Sequence, residues 1–96
     1  MITRIVKLKF DAQHVSDFKC FAKEIEATIK KQDGCLHLDI YQDIKDESIF
    51  FTYSKWKNED ALNNYRKSDF FRNVWSKTKK WFDAKPEAWS VIVPSF

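Results

Sequence analysis

Apolar and polar residues alternate along four stretches of this chain, which predicts four β-strands. The four stretches are residues 2–10, 35–43, 50–56 and 89–93. The first has apolar residues at its even-numbered positions, with Arg4 as the exception. A polar turn at residues 45–48 separates the second stretch from the third, so these two strands are predicted to form an antiparallel hairpin.

Between the strands, apolar residues recur every three or four positions, which predicts helices. The first helix runs from about His14 to Gln32 and is followed by Gly34, the only glycine, where a left-handed residue commonly ends a helix. Asn58 and Ser68 each precede acidic residues, so both are predicted to cap further helices. The last helix carries a stripe that is expected to be buried, consisting of Phe71, Val74, Trp75, Thr78 and Phe82.

The order of these elements predicts the fold class. A strand, a helix, two strands, a helical region and a closing strand are typical of an α+β ferredoxin-like domain, with an antiparallel four-stranded sheet and helices on one face. The chain contains no internal repeat and no linker, so residues 1–96 are expected to form a single domain.

The third strand is aromatic on both of its faces. One face carries Phe50, Thr52, Ser54 and Trp56, and the other carries Phe51 and Tyr53. Helices on one side of the sheet cover only the first of these faces. The other face, which also bears Tyr41, is therefore predicted to pair with a second copy of the chain in a homodimer.

The second strand has two different faces. Leu36, Leu38 and Ile40 are expected on an apolar face, whereas His37 and Asp39 lie on a mixed face that suits the seam of a dimer. Residues two apart on a strand point the same way without facing each other, and no nucleophile is placed nearby. A catalytic pair of His37 and Asp39 is therefore not expected.

Aromatic residues of the later helices converge on the third strand. Helical spacing brings Tyr65, Phe71 and Trp75 toward the interior that Trp56 also faces. These rings either line a pocket or fill a core, and the pattern fits both. Arg4 also leaves two alternatives, because an arginine on an apolar strand face either reaches water at the strand end or points into a cavity toward an anionic or carbonyl group.

Composition and charge restrict the class of partner. Aromatic residues make up 17% of the chain, an excess of rings that favours a ligand cavity or a large interface. The net charge of +3 is spread along the sequence. RNA-recognition domains share this element order and also display aromatic residues two apart on the third strand, but their glycines and strongly basic face are missing here. No nucleic-acid partner is therefore expected.

Cysteine spacing and hydropathy indicate the cellular location of the protein. Cys20 and Cys35 lack the spacing of a zinc site, and the N-terminus lacks the pattern of a signal peptide. No apolar run reaches the roughly 18–20 residues that span a bilayer. The sequence therefore predicts a soluble, cytoplasmic protein with no bound metal and no membrane partner.

Several short motifs follow one another along nearly the whole chain. They are Gly34-Cys35-Leu36, Tyr41-Gln42-Asp43, the stretch Phe50 to Trp56, Ala61-Leu62 and Ser68-Asp69-Phe70-Phe71. This ordered set resembles the antibiotic biosynthesis monooxygenase (ABM) domain family. The resemblance implies a dimeric α+β barrel with two sheets back to back, and a pocket in each subunit between sheet and helices. Members include cofactor-independent oxygenases of polycyclic phenols and quinols, haem-degrading enzymes, and small enzymes that handle quinones or signalling molecules.

The chain departs from that family at chemically important positions. Ser54 stands two residues before the strand tryptophan, where many members carry glutamate, and Tyr65 and Phe70 stand where members often carry histidine. Trp56 matches the pocket tryptophan of the haem-degrading branch, but Trp75 occupies the place of the histidine that binds iron there. Because an indole cannot ligate iron, haem degradation by that pattern is not expected, and no cofactor is predicted.

The resemblance implies a cofactor-independent monooxygenase acting on a phenol, hydroquinone or quinone-like aromatic substrate, and the aromatic pocket predicted from the residue pattern is consistent with this activity. A deprotonated phenol gives an electron directly to oxygen, so the protein need only hold it, deprotonate it and exclude water. The candidate catalytic residues are Trp56, Tyr65 and Arg4. The predicted substrate-binding residues are Arg4, Thr52, Ser54, Trp56, Tyr65, Phe71 and Trp75. A non-catalytic protein that binds small molecules is the alternative, because a fold class does not fix an activity.

Overall fold

The computed structural model describes residues 1–95 and contains one antiparallel sheet with helices on one face. The strands are β1 (Ile2–Lys9), β2 (Cys35–Gln42), β3 (Ile49–Trp56) and β4 (Glu87–Val91). The helices are α1 (Val15–Lys30), α2 (Glu59–Lys67) and α3 (Asp69–Thr78), with 3₁₀ turns at Ala12–His14 and Lys79–Trp81. The strand order β2-β3-β1-β4 confirms the predicted ferredoxin-like α+β fold. The predicted domain of residues 1–96 includes Phe96, which lies outside the described residues.

Polar side chains at helix starts position α2 and α3 over the sheet. The backbone N–H of Ala61 donates to Asn58 Oδ1 at 2.9 Å, and that of Phe71 donates to Ser68 Oγ at 3.1 Å. Both predicted caps are confirmed, since each oxygen satisfies a donor that the first helical turn leaves without a partner. Because Ser68 ends α2 and also begins α3, the two helices follow each other directly on the same side of the sheet.

Gly34 carries the chain from α1 into β2 with a φ of 82°. Its carbonyl accepts a hydrogen bond from the backbone N–H of Lys57 at 2.8 Å, and a Cβ placed on it would overlap the Cβ of Ala61 in α2. The left-handed backbone and the close approach of α2 both require glycine here. Since α1 ends at Lys30, this glycine lies in the turn after the helix and is not the first residue beyond it.

The predicted hairpin of β2 and β3 is confirmed, and two aspartates shape its turn. Asp43 Oδ2 accepts from the backbone N–H groups of Lys45 and Asp46 at 3.0 and 2.9 Å. Asp46 Oδ1 accepts from the backbone N–H and the hydroxyl of Ser48 at 2.9 and 2.6 Å. Such side-chain acceptors stabilise turns without glycine or proline.

Leu36 does not lie on the covered face of β2, contrary to the prediction from alternation. A register shift between Cys35 and His37 leaves Leu36 57% exposed, whereas Leu38 is buried. A β-bulge adds one residue to a strand and so reverses the alternation beyond it. Cys35, which lies opposite Trp56, takes the position expected for Leu36.

The last strand also differs from its prediction, because β4 ends at Val91 while Ile92 and Val93 are exposed. β4 pairs with β1, and their ladder ends where Thr3 lies opposite Val91. Since β1 begins at Ile2, it offers little further backbone for pairing. Within the described residues, none of the helices has the length and hydrophobicity needed to cross a bilayer.

The sheet face opposite the helices, called the outer face below, is partly apolar. Strand register places Asp39, Tyr53, Ile5 and Trp89 side by side in one row across it. Tyr41 and Phe51 lie in the next row, with Tyr41 51% exposed. The shared face of Tyr41, Phe51 and Tyr53 is as predicted, and the homodimer through it stays a prediction.

His37 and Asp39 meet on the outer face, which corrects the expectation that they do not face each other. His37 Nε2 lies 2.7 Å from Asp39 Oδ2, and the Tyr41 hydroxyl donates to the same oxygen at 2.9 Å. Alternate residues of a strand point to one side, and these side chains are long enough to reach one another. The hydrogen bonds, that of His37 first, hold the pKa of Asp39 below its usual value.

Candidate functional site

The interior between the sheet and the helices is solid at one end. Phe10 packs on Phe18 with 4.3 Å between ring centroids, and Phe50 lies 5.8 Å from Phe10 and 4.9 Å from Phe18. Leu8 and Ala22 complete this buried cluster. Aromatic rings at these distances fill the space as in any protein core.

The other end of the interior holds a cavity of about 470 Å³. Its floor is the covered sheet face, and its roof is formed by helices α1, α2 and α3, with Ile25, Leu62 and Val74 among their lining residues. The volume lies within the roughly 300–1,000 Å³ typical of small-molecule sites. The structure brings all seven predicted substrate-binding residues to this one cavity, namely Arg4, Thr52, Ser54, Trp56, Tyr65, Phe71 and Trp75. That they bind a substrate stays a prediction.

Strand register builds a polar row across the floor. Arg4 of β1 lies opposite Ser54 of β3 on one side and Ser90 of β4 on the other. Arg4 Nη1 donates to Ser90 Oγ at 2.9 Å, and this contact fixes one edge of the guanidinium. Arg4 also lines the cavity, in line with the second of its two alternatives, and the anionic or carbonyl partner stays a prediction.

Trp56 forms a wall of the cavity, and its N–H is already occupied. The indole is 1% exposed, because Tyr65 stacks on it with 4.9 Å between centroids and 23° between planes. Its Nε1 donates to Ser54 Oγ at 2.9 Å, and Ser54 Oγ lies 3.5 Å from the carbonyl oxygen of Arg4. The Ser54 hydroxyl, a predicted polar contact, thus accepts a hydrogen bond from the Trp56 N–H, a donor that was not predicted.

Two other hydroxyl groups on the wall have no hydrogen-bond partner among residues 1–95, those of Thr52 and Tyr65. Burial, with a smaller effect of Cys35, raises the pKa of Tyr65 above its usual 10.0. Burial disfavours the charged phenolate, so Tyr65 keeps its proton at neutral pH. Tyr65 is therefore able to donate a hydrogen bond to a ligand, but not to act as its base.

The aromatic rings of the roof continue from Tyr65 to the molecular surface. Phe71 meets Tyr65 edge to face at 5.1 Å and stacks with Trp75 at 6.1 Å. Trp75 is 37% exposed, so the predicted buried stripe of α3 is wrong at this position. An indole beside a cavity lacks the packing partners that would cover it, and Trp75 thus lies at the rim.

The charged side chains that line the cavity all carry the same sign. They are Arg4, Arg66 and Lys85, and among the described residues no aspartate, glutamate or histidine joins them. Burial, and then the charge of Arg66, lower the pKa of Arg4 below its usual value, and the guanidinium still keeps its charge at neutral pH. The sequence analysis missed Arg66 and Lys85. Helical spacing offered a signal for Arg66, because it follows buried Leu62 by one turn of α2.

The donor set of the cavity does not fit a histidine-ligated haem. His14 bonds to Asp17 at 2.9 Å and stacks on Trp81, and His37 lies on the outer face, so neither histidine lines the cavity. In the described part of the chain, no group of three or more histidine, cysteine, aspartate or glutamate side chains is placed to hold a metal ion.

A family model described as antibiotic biosynthesis monooxygenase matches residues 1–75. The chain belongs to this family. The predicted family resemblance is thereby confirmed, and the matched part of the ABM chain contains every predicted site residue from Arg4 to Trp75.

Solved structures show the same fold. A conserved protein from Methanosarcina mazei Go1 has 23% identity and a TM-score of 0.87, covering 95% of this chain and 91% of that one. An antibiotic biosynthesis monooxygenase has 15% identity and a TM-score of 0.92, covering 99% of this chain and 100% of that one. At these identities the likeness extends to the fold alone. No curated protein matches this ABM chain significantly.

Proposed function

We propose that this ABM-family chain is a cofactor-independent monooxygenase that oxidises a phenol or hydroquinone in the cavity beneath α2 and α3. The observation that carries the proposal is an aromatic cavity of about 470 Å³ with the guanidinium of Arg4 on its floor. Apolar walls with a few fixed polar groups are typical of sites that bind flat organic molecules. A bicyclic or tricyclic phenol suits this volume.

Many enzymes use a base to ionise a phenol, whereas here Arg4 promotes ionisation by stabilising the phenolate. Since no carboxylate or imidazole lines the cavity among residues 1–95, the phenol proton passes to water. A nearby guanidinium favours the phenolate and lowers the pKa of the bound phenol. Thr52 and protonated Tyr65 donate hydrogen bonds to the same oxygen, and buried Trp56 closes one wall of the cavity to solvent.

Oxygen then reacts with the phenolate. One electron passes from the phenolate to O₂, and the resulting phenoxyl radical and superoxide combine at the ring carbon para to the phenol oxygen. The distal peroxide oxygen takes up a proton. The O–O bond then breaks as the ring carbon loses its hydrogen as a proton, and the hydroxide that leaves becomes water. One oxygen atom enters the para-quinone and the other enters water, so the substrate supplies all four electrons.

Oxygen consumption tests this proposal. With chelator-treated protein and 1,5-dihydroxynaphthalene, we expect saturable O₂ uptake above the spontaneous rate, with one O₂ used for each 5-hydroxy-1,4-naphthoquinone formed. The matched variant Trp56→Phe keeps an aromatic wall but removes the Nε1 donor to Ser54, and is expected to lower the rate. Uptake at the spontaneous rate in both proteins, across a panel of quinols, would exclude the proposal.

A non-catalytic binding protein is the second candidate, because no carboxylate or imidazole lines the cavity among residues 1–95. It predicts that calorimetry detects binding of 1,5-dihydroxynaphthalene while O₂ consumption stays at the spontaneous rate. The two functions are therefore distinguished by one pair of measurements on the same protein.

We also propose that two copies pair through the outer face. The support is its exposed aromatic surface, with Trp89 45% exposed and half-buried Tyr53 in the same row, separated by Ile5. Interfaces between copies of one chain are enriched in such aromatic residues. The pairing leaves the cavity on the opposite side of each sheet.

Tyr53→Glu is expected to convert the dimer to a monomer, because it adds a carboxylate next to Asp39 at the centre of the seam. Light scattering is expected to give twice the 11.5 kDa chain mass for the unmodified protein and the chain mass for the variant. Ala27→Glu, on the exposed side of α1, serves as the control and should remain dimeric. A monomeric unmodified protein would contradict the pairing.

A further inference from the structure

The cationic lining contains more positive charge than the proposed phenol oxidation uses. Arg4 on the floor and Arg66 on α2 line the same cavity, and the charge of Arg66 contributes to lowering the pKa of Arg4. Neither forms an ion pair with a carboxylate within residues 1–95, and Lys85 adds a third cation to the same cavity. A phenolate brings one negative charge, which balances Arg4 alone.

We propose that the ligand of this cavity is an aromatic acid, whose carboxylate is bound by Arg66 next to the phenol site at Arg4. The inference rests on the proposed function in taking this cavity as the place where the substrate binds. It adds the class of substrate, a phenol that carries a carboxylate.

The chemistry of arginine favours a carboxylate as the partner. The planar guanidinium presents paired N–H donors that match the two oxygens of a carboxylate, and such charge-assisted hydrogen bonds are stronger than neutral ones. The guanidinium groups of half-buried Arg4 and exposed Arg66 repel each other, and an anion placed beside them relieves that repulsion. The remaining walls, including Phe71 and Trp75, are apolar and suit the ring system of the ligand.

A purely structural reason for Arg66 exists and can be tested separately. Arg66 and Lys67 both lie in the last turn of α2, where a positive charge interacts favourably with the helix dipole. Lys67 carries the same positive charge in the same helical turn as Arg66, but it does not line the cavity. Lys67→Gln is therefore the matched control for Arg66→Gln, because both variants remove one charge from the same helix end.

The experiment compares two probes that differ in one carboxylate, 6-hydroxy-2-naphthoate and 2-naphthol. We expect calorimetry to show about tenfold tighter binding of the naphthoate by the unmodified protein, as for a charge-assisted hydrogen bond. In Arg66→Gln the preference should fall to less than about twofold, whereas Lys67→Gln should keep it. Raising the salt concentration should weaken binding of 6-hydroxy-2-naphthoate more than binding of 2-naphthol.

Three outcomes would overturn the inference. These are equal affinity of the unmodified protein for the two probes, a preference that survives Arg66→Gln, and a preference that Lys67→Gln abolishes equally well. The proposed function is judged independently by O₂ uptake with neutral 1,5-dihydroxynaphthalene. If that uptake occurs while the two probes bind equally, only the inference about the carboxylate is wrong. If the naphthoate preference depends on Arg66 while no member of the quinol panel, carboxylated phenols included, raises O₂ uptake above the spontaneous rate, the acid site stands and the oxygenase is excluded.

Discussion

Replacing Arg4 with glutamine is expected to lower kcat/KM for the oxidation of 1,5-dihydroxynaphthalene about a hundredfold, the usual effect of removing one donor that stabilises developing negative charge. Arg4 lines the floor of the cavity beside Ser54 and is held by Ser90, so it is fixed in place before the substrate binds. Without its charge the bound phenol has a higher pKa. The pH of half-maximal rate should therefore move upward in the variant, because a smaller fraction of the substrate is ionised at each pH.

The matched control for this substitution is Arg72→Gln. Arg72 is exposed on α3, where it pairs with Asp69, and it does not line the cavity. It should keep the rate and the pH profile of the unmodified protein. If Arg4→Gln oxidised the substrate at the unmodified rate, or with an unshifted pH profile, the role assigned to Arg4 would be wrong.

Gly34→Ala is expected to lower the free energy of unfolding by about 2–6 kcal/mol, as measured by urea denaturation. A φ of 82° costs a residue with a Cβ about 1–3 kcal/mol. The new methyl group also overlaps Ala61, which displaces α2, and overpacking of this kind costs about 1–3 kcal/mol. In a chain of 96 residues such a loss is a large part of the total stability.

A second substitution separates the two causes. Ala61→Gly removes the methyl group that the new Cβ would meet, although glycine within a helix costs up to about 1 kcal/mol by itself. The double variant should therefore be more stable than the sum of the two single effects, by about 1–2 kcal/mol. Strict additivity would show that α2 does not pack against Gly34 as described.

The features that the sequence predicted correctly depend on local chemistry. The alternation that placed Trp56 and Tyr53 on opposite faces of β3 needs only the geometry of one strand. The caps at Asn58 and Ser68 need only a side-chain oxygen three residues before a free backbone N–H. The fold class followed from the order of these elements.

The features that the sequence did not predict depend on contacts between distant segments. Leu36 alternates correctly in the sequence, and only the pairing of β2 with β3 shows that a bulge removes it from the covered face. The cavity was also undecided, because rings that fill space and rings that surround it have the same helical spacing. Phe10, Phe18 and Phe50 fill one end of the interior, and Trp56 with Tyr65 encloses the other.

The charges of the site were recognised only in part for the same reason. Arg4 was noticed because it interrupts an apolar strand face, whereas Arg66 lies among exposed polar residues on α2. Only the packing of α2 over the sheet brings both guanidinium groups to one cavity. The cationic residues of this site belong to the sheet and to the helices above it. The full set can therefore be identified only once the packing of helices on the sheet is known.

The most direct test of the account is the fate of isotopically labelled oxygen. Chelator-treated protein should be incubated with 1,5-dihydroxynaphthalene under ¹⁸O₂, and the quinone product analysed by mass spectrometry after subtraction of the spontaneous reaction. The account predicts protein-dependent formation of a quinone that carries one labelled oxygen atom, and a strong reduction in Arg4→Gln. Quinone formation at the spontaneous rate, or without label in the product, would contradict it.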